Sequence, residues 1–488
     1  MGVQPSVQDL VRAAMQHHQA GRLRDAEILY RQALRADCNQ PDATHYLGLL
    51  ADQIGRADDA LRLISRSIEI SPSNPAYQVN LAVLLQRQGR YAEAIAHCRR
   101  AIELAPGFAE GHANLGALFS SIGEPEKGIE PLRRALALEP TNVKARYNLA
   151  EALARAGDFA QSTAEYERIL QIDPNHAQAQ FGLSLVRLRQ GDLARGLEGY
   201  EWRWQTGDAS IPRRQFASPL WDGGDLRGKT ILLYSEQGYG DAIHFSRYAP
   251  MVAARGGRVV LECLPGLESL MASLRGVEQI VTFGRPLPAH DVRCPILSLP
   301  RVFGTRMESI PAEVPYLAAA ADRIEQWRQR LGPRTDGLRI GLAWFGNSRQ
   351  INNRERSIPP EMLSPLAQVP GVSFYQLQKY MDPAAAPAAP PGLPLHDFTS
   401  EIRDFVDTAA LMENLDLVIS TDTSVPHLAG ALGRPVWLLT SFVPDWRWFL
   451  DRTDSPWYPT MRLFRQPRLR EWQPVIEAVM AELRYRAQ

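Results

Sequence analysis

Residues 421–424 read Thr421-Asp422-Thr423-Ser424, three hydroxyls around one carboxylate. The run before them, 415–420, is short, apolar and rich in branched side chains, the composition of a parallel strand buried on both faces. After them Val425, Leu428, Ala429 and Leu432 carry helical spacing, and Gly433 ends that helix before a second apolar run at 435–439. The unit is strand, turn, helix, strand. Hydroxyls and the free N–H groups of a helix start converge on one point, which suits an anion and most often a phosphate. His427, one turn into the helix, faces the same mouth. Thr, Asp and Ser are also the ordinary N-cap residues. A cap needs one of them and this turn holds four, which favours an anion site.

Other stretches have the same layout. The strand expected at 338–344 ends at Gly346 and Asn347, and the loop 348–357 carries Arg349, Arg354 and Arg356. Loops at the carboxyl ends of α/β strands are where such sheets hold ligands. A guanidinium there can clamp a diphosphate through two parallel hydrogen bonds, and Arg356 is the candidate. A solvated arginine-rich loop is the alternative. The next expected strand ends in Gln378 and Lys379, candidate contacts to nucleotide or phosphate. A strand at 230–235 leads into Glu236-Gln237-Gly238-Tyr239-Gly240-Asp241 and then a helix. Gly238 and Gly240 let the backbone pass close to a ligand. No third glycine completes a dinucleotide fingerprint. No Asp-x-Asp pair closes a strand and no His/Cys cluster has ligand spacing, so the expected chemistry uses no metal and no resident cofactor.

The pattern Asp422-Thr423-x-x-x-His427-Leu428-Ala429-x-Ala431-Leu432-Gly433-x-Pro435 resembles the donor-binding turn of the heptosyltransferase-like glycosyltransferases. These form a superfamily with the two-lobed GT-B fold and usually show glycine where this chain has Ser424. The resemblance covers the chain from about Lys229 onward. It implies a nucleotide-sugar donor in the second lobe, with a phosphate-facing cation at Arg356. It also implies that Asp241 is the base, since a carboxylate in the cleft can take the acceptor hydroxyl's proton as the oxygen attacks the anomeric carbon. Asp241 fits equally as the cap of the helix after it. His244, one turn on, is the second choice of base, because imidazole titrates near neutral pH. Charge on the departing diphosphate would be met by the helix at 424, Arg356 and Lys379. The resemblance further implies a last helix, 472–483, that returns to the first lobe. The aromatics of Asp445-Trp446-Arg447-Trp448 and Trp457-Tyr458 either stack on a sugar or base or pack the last loop.

The first 206 residues repeat. Glycine falls at 21, 55, 89, 123, 157 and 191, and proline at 72, 106, 140 and 174, in steps of 34. Small residues keep phase at Ala26, Ala60, Ala94, Gly128, Ser162 and Gly196, and leucine at 47, 81, 115, 149 and 183. This is the period and pattern of the tetratricopeptide (TPR) repeat, with six units in register. Each unit is read as two helices, with the glycine in their turn and the proline closing the second. Stacked units form a superhelix with a concave groove that normally holds a peptide or a partner protein. Thr44, Gln78, His112 and Arg146 are expected to face it. Asn80, Asn114 and Asn148 recur one per repeat. Such a ladder can hydrogen-bond the backbone of an extended acceptor chain, or simply solvate the surface. Trp202 and Trp204 close the last unit and are expected to fix it to the next domain.

The 488 residues allow about three domains, and 54 basic against 54 acidic residues leave no net field for nucleic acid or an anionic membrane. No long apolar run predicts stable membrane insertion, and the N-terminus lacks an apolar signal core. Gly2 and Ser6 fit the loose myristoylation pattern by chance. Cys38, Cys98, Cys263 and Cys294 are scattered, as in a reducing cytoplasm. The expected architecture is an α-solenoid followed by an α/β two-lobed GT-B fold. Its divisions are a TPR array at 1–206, a linker at 207–228, a first, acceptor-side lobe at 229–332 and a second, nucleotide-sugar lobe at 333–488. The layout resembles the TPR-fused glycosyltransferases, analogous to O-linked N-acetylglucosamine transferases. The implied partners are a nucleotide sugar and an acceptor protein held by the repeats. The rivals are a non-catalytic TPR scaffold and a transferase acting on a lipid-linked or polysaccharide glycan.

Overall fold

The computed structural model describes residues 5–208, 214–334, 337–346, 353–379 and 388–487. The chain divides into two compact units, Met1–Ile172 and Asp173–Gln488.

Among the described residues the first unit is five helical hairpins, from Val7–Gln19 with Leu23–Ala36 to Val143–Arg155 with Phe159–Ile172. The punctuation is that read from the sequence. Gly21, Gly55, Gly89, Gly123 and Gly157 follow the first helix of each hairpin at φ between 73° and 86°, a conformation that costs glycine nothing. Pro41 and Pro75 open helices, each behind a capping side chain: Gln40 accepts from the Ala43 N–H at 2.6 Å and Asn74 from the Ala76 N–H at 3.0 Å. The in-phase small residues Ala26, Ala60 and Ala94 are fully buried, so paired helices approach closely. One close approach is glycine on glycine. A Cβ added to Gly128 would lie 2.6 Å from the carbonyl oxygen of Gly116 on the partner helix.

The second unit begins with the sixth hairpin, Ala177–Arg189 and Leu193–Tyr200. The repeat pattern runs to 206, but compact packing divides the chain after Ile172, because this pair buries its apolar side in the α/β body. Leu188, Leu193, Leu197 and Tyr200 share one core with Ile231, Ile243 and Phe245. Two parallel sheets follow. The first contains β1 (Thr230–Tyr234), β2 (Arg258–Cys263), β3 (Val277–Thr282) and β4 (Val292–Pro295) in the order β3-β2-β1-β4. The second contains β5 (Leu338–Ala343), β6 (Val372–Gln376), β7 (Leu395–His396), β8 (Leu417–Thr421), β9 (Val436–Thr440) and β10 (Met461–Arg465) in the order β10-β9-β8-β5-β6-β7. Each sheet starts at an inner strand, builds to one side and then reverses. The reversal lies between β1 and β4 in the first sheet and between β5 and β8 in the second. A crevice opens beyond the carboxyl ends at such a switch point, and α/β sheets hold ligands there.

The final helix, Gln473–Arg486, does not make the expected return to the first lobe. Its apolar side, Val475, Ile476, Val479, Met480 and Leu483, packs with Ile340, Leu342, Phe374 and Leu417 on the second sheet. Of the two tryptophans expected to anchor the last repeat, Trp204 is half-buried against Leu232, Tyr234, Val260 and Val281 of the first sheet, as expected, and Arg203 beside it is 1% exposed. Arg203 Nη2 donates to Glu236 Oε1 at 2.7 Å and to Ser298 Oγ at 2.8 Å, on the loops after β1 and β4. A guanidinium from the solenoid thus fills the first sheet's switch point.

Gly128→Ala is expected to cost about 1–3 kcal/mol, the scale of core overpacking, read as a lower thermal midpoint. Gly107→Ala, where a Cβ meets nothing within 4 Å, should leave the midpoint unchanged.

Candidate functional site

At the second sheet's switch point, β8 ends at the fully buried Thr421, and the turn runs into the helix Ser424–Ala431. Thr423 is the N-cap, with its Oγ1 accepting from the Val425 N–H at 3.2 Å. One hydroxyl of the turn is therefore spent as a cap, and Ser420 Oγ donates to the Thr421 carbonyl at 2.7 Å. Thr421 Oγ1 is buried with no hydrogen-bond partner. Asp422 and Ser424 are half-buried at the mouth.

Arg356 reaches this turn from the loop after β5, and its Nη1 donates to the Asp422 carbonyl at 3.0 Å. Its Nε is buried and unpartnered. Gly346 makes room for it, since a Cβ there would lie 2.6 Å from the guanidinium nitrogens. Asn347 lies outside the described residues. Gln378 is 8% exposed, and its Oε1 accepts from the backbone N–H groups of Trp344 and Phe345 at 3.1 and 2.9 Å. It ties the end of β6 to that of β5 instead of facing a ligand. Lys379 donates through Nζ to the Ile402 carbonyl.

The glycine loop after β1 meets the same helix start. Gly240 sits where a Cβ would be 2.9 Å from His427 Cδ2, so its lack of a side chain lets the two elements touch. Gly238 caps the helix Tyr239–Phe245, and its N–H donates to Asp241 Oδ2 at 3.0 Å. Asp241 is thus a cap, and it has a second partner. Arg447 Nη2 donates to Asp241 Oδ1, while Arg447 Nη1 donates to Asp445 Oδ1 at 2.7 Å. Arg447 is 5% exposed and lies over the rings of Phe245 and Trp446 at 5.0 and 4.9 Å. Burial pushes the Asp241 carboxyl up, against the pull of Arg447. Burial alone would raise Asp445 too, but Arg447 outweighs it and holds that carboxyl below its ordinary range. Burial, then the neighbouring Asp445 charge, push Asp422 up to about 6.

His244 and His427 share one hydroxyl. Tyr458 Oη lies 3.0 Å from His244 Nδ1 and 3.1 Å from His427 Nδ1. It donates to one ring and accepts from the other. Burial holds both imidazoles well below their usual range, and Arg247 beside His244 and Arg447 near His427 add to this, so both are neutral at pH 7. Trp446, Trp448, Trp457 and Tyr458 are at most 2% exposed. Packing of the last loop, one of the two roles considered for them, is what they do.

The second unit therefore brings together Gly238, Gly240, Asp241, His244, Gly346, Arg356, Asp422, Thr423, Ser424 and His427. It leaves Lys379 on Ile402. Arg447, Tyr458 and Arg247 were missed as polar partners. The signal available for the first was the Asp445-x-Arg447 spacing inside the aromatic stretch.

In the first unit, Asn80 Nδ2 is 3.0 Å from His45 Nε2, Asn114 Nδ2 donates to the Glu110 carbonyl at 2.9 Å, and Asn148 is half-buried. Gln78 Oε1 is 2.7 Å from His97 Nδ1, and Arg146 Nη1 is 2.7 Å from Glu165. Asn80, Asn114, Gln78 and Arg146 thus already have partners within the unit. Among the described residues no helix is long and apolar enough to cross a membrane, and no group of three or more His, Cys, Asp or Glu could hold a metal ion.

Tetratricopeptide repeat families match residues 11–75, 47–107 and 123–183, so the N-terminal part of the chain carries TPR repeats. Protein FlbA of Caulobacter vibrioides is 28% identical over 319 residues, which are 59% of this chain and 52% of that protein. The chain spans about half the length of this curated relative. Among solved structures, MamA is 20% identical, covers 35% of this chain and 94% of its own, and has a TM-score of 0.30. YrrB, a TPR protein with an unusual peptide-binding site, is 16% identical over 36% of this chain and 92% of its own, with a TM-score of 0.32.

Asp422 gives a pH signature. Its ordinary value is 3.8, so between there and about 6 the folded chain keeps a proton that the unfolded chain has released. Its contribution to stability is full below that window and is lost as pH rises through about 6. Asp422→Asn should therefore raise the thermal midpoint relative to the parent chain at pH 7 and bring the two together near pH 4. Paired melting curves across that range check this.

Proposed function

We propose that this chain is a glycosyltransferase of the GT-B type, moving a sugar from a nucleotide-sugar donor to a protein acceptor engaged by the TPR repeats. The observation that carries the reading is the meeting of two strand ends. The glycine loop after β1 touches the helix start after β8 through Gly240 and His427, and Arg356 arrives from β5 with a buried Nε still unpartnered. A diphosphate suits that point. It would find the Arg356 guanidinium, the unpartnered Thr421 hydroxyl and the helix N–H groups. Asp241 then lies on the facing loop as the proton acceptor. The acceptor oxygen bonds to the anomeric carbon, and the anomeric C–O bond to the diphosphate breaks, its electron pair leaving with phosphate oxygen. The hydroxyl proton passes to the Asp241 carboxylate. The carboxyl's burial raises its affinity for a proton, and the charge of Arg447 opposes that rise. His244 is the weaker candidate, because it is fully buried and bonded to Tyr458.

The second reading is a TPR scaffold with no transfer activity. What favours it is that both Asp241 oxygens already have donors, Gly238 N–H and Arg447.

Calorimetry with UDP, ADP, GDP and CMP should find one that binds. Thr423→Ala with Arg356→Ala should weaken it by about tenfold or more, the worth of one charge-assisted hydrogen bond. With the matching labelled donor and a cell lysate as acceptor, Asp241→Asn should lower transfer by roughly a hundredfold and leave nucleotide affinity unchanged. If the parent chain binds no nucleotide and labels nothing, the scaffold reading stands instead.

A further inference from the structure

A second concave surface lies where the last helical hairpin meets the segment 301–306. It is an open groove of ≈ 590 Å³. Its charged lining is Arg187, Arg195, Arg301 and Arg306 against the single acid Glu198, in a chain whose formal net charge is zero. Arg301 and Arg306 are poorly neutralised by the side chains around them. Arg301 Nη1 is 3.9 Å from Glu198 and its Nε 4.0 Å from Glu201, beyond hydrogen-bond reach, and that Nε is buried with no hydrogen-bond partner. Arg306 is exposed, and the hydrogen bonds it makes come from its backbone. Arg195 pairs with Asp192 on its own helix.

The repeat register makes Arg187 informative. Of the five preceding units, four hold a buried apolar residue at this position, Ala51, Leu85, Phe119 and Leu153, and the first holds the half-buried His17. An arginine here departs from what the repeat needs to fold. Beside it, the half-buried Trp202 offers an apolar floor.

We propose that this groove binds an acidic, extended peptide segment of a partner protein. The four guanidiniums come from three separate stretches, the helices Ala177–Arg189 and Leu193–Tyr200 and the segment 301–306. That arrangement suits carboxylates spaced along a chain, taken one arginine at a time, better than a single phosphate. The indole beneath takes the stems of the glutamates between contacts. The proposal is independent of sugar transfer, and its test contains no nucleotide.

The experiment is fluorescence anisotropy of the full chain with a labelled peptide of alternating glutamate and serine, its glutamine–serine counterpart and an oligothymidylate. The glutamate peptide is expected to bind and the glutamine peptide not to. Arg301→Gln with Arg306→Gln should weaken binding by about tenfold or more. Arg306→Gln alone, at an exposed side chain that cannot threaten the fold, should weaken it severalfold and flatten its salt dependence. Equal binding of the glutamine peptide, or an unchanged affinity in both variants, overturns the proposal. So does oligothymidylate that binds as tightly as the glutamate peptide and is lost in the same variants, because the groove is then a general polyanion patch.

Discussion

The second unit turns on one guanidinium. Arg447, on the loop after β9, holds Asp241 at the start of the helix after β1 and Asp445 on its own loop. The two acids come from opposite sheets, so this contact aligns the carboxyl ends of both. Buried ion pairs add little net stability when complete, because desolvation consumes most of the Coulombic gain. Breaking one is another matter. Without Arg447, two carboxylates would face each other in a buried space, at a cost of about 3–5 kcal/mol. The arrangement is therefore a geometric constraint more than a source of stability. The last helical hairpin supports it: Arg189 Nε donates to the Pro444 carbonyl at 2.9 Å, and the Tyr200 ring lies 6.0 Å from Trp446. The sixth repeat is thus built into the α/β body by the loop that carries Arg447.

The legible parts of the sequence were those whose cause is local and repeated. Six glycines in one phase locate the hairpin turns, because each needs the same positive φ. Apolar runs with branched side chains locate the strands, and the order of elements gives parallel sheets with switch points. The turn at 421–424 was legible for the same reason, as strand, cap residues and helix lie within a dozen positions. Gly240 was read as a close-approach glycine, and its neighbour is another protein element, the ring of His427.

What stayed hidden depends on distant partners. Asp241 and Arg447 are 206 residues apart, and nothing near either announces the other. Gln378 looks like a ligand contact at a strand end, but the N–H groups of Trp344 and Phe345 need an acceptor there, and its amide supplies one. Arg203 was overlooked between two tryptophans because burial is expected of indoles and not of a guanidinium. The asparagine ladder was legible as a pattern, yet Asn80 and Asn114 are turned towards His45 and the Glu110 carbonyl.

The two sheets share a topology and differ in what fills their switch points. In the first, Arg203 enters from the last repeat and meets Glu236 and Ser298, and burial pushes Glu236 up to about 8. That crevice is occupied by the chain's own cation. In the second, the last repeat reaches the loop after β9 through Arg189 and Tyr200. The mouth there holds Arg356, Thr421 and the helix start, with Arg356 Nε and Thr421 Oγ1 unpartnered, as Arg203 Nε and Glu236 Oε2 are at the first. Unpartnered buried polar atoms are costly and rare in a folded chain. Beside that mouth, Arg447 holds the Asp241 and Asp445 carboxylates. The Asp241 and Asp445 carboxylates hold the Arg447 guanidinium, the Asp422 carbonyl holds that of Arg356, and burial eases the protonation of the Asp422 carboxyl.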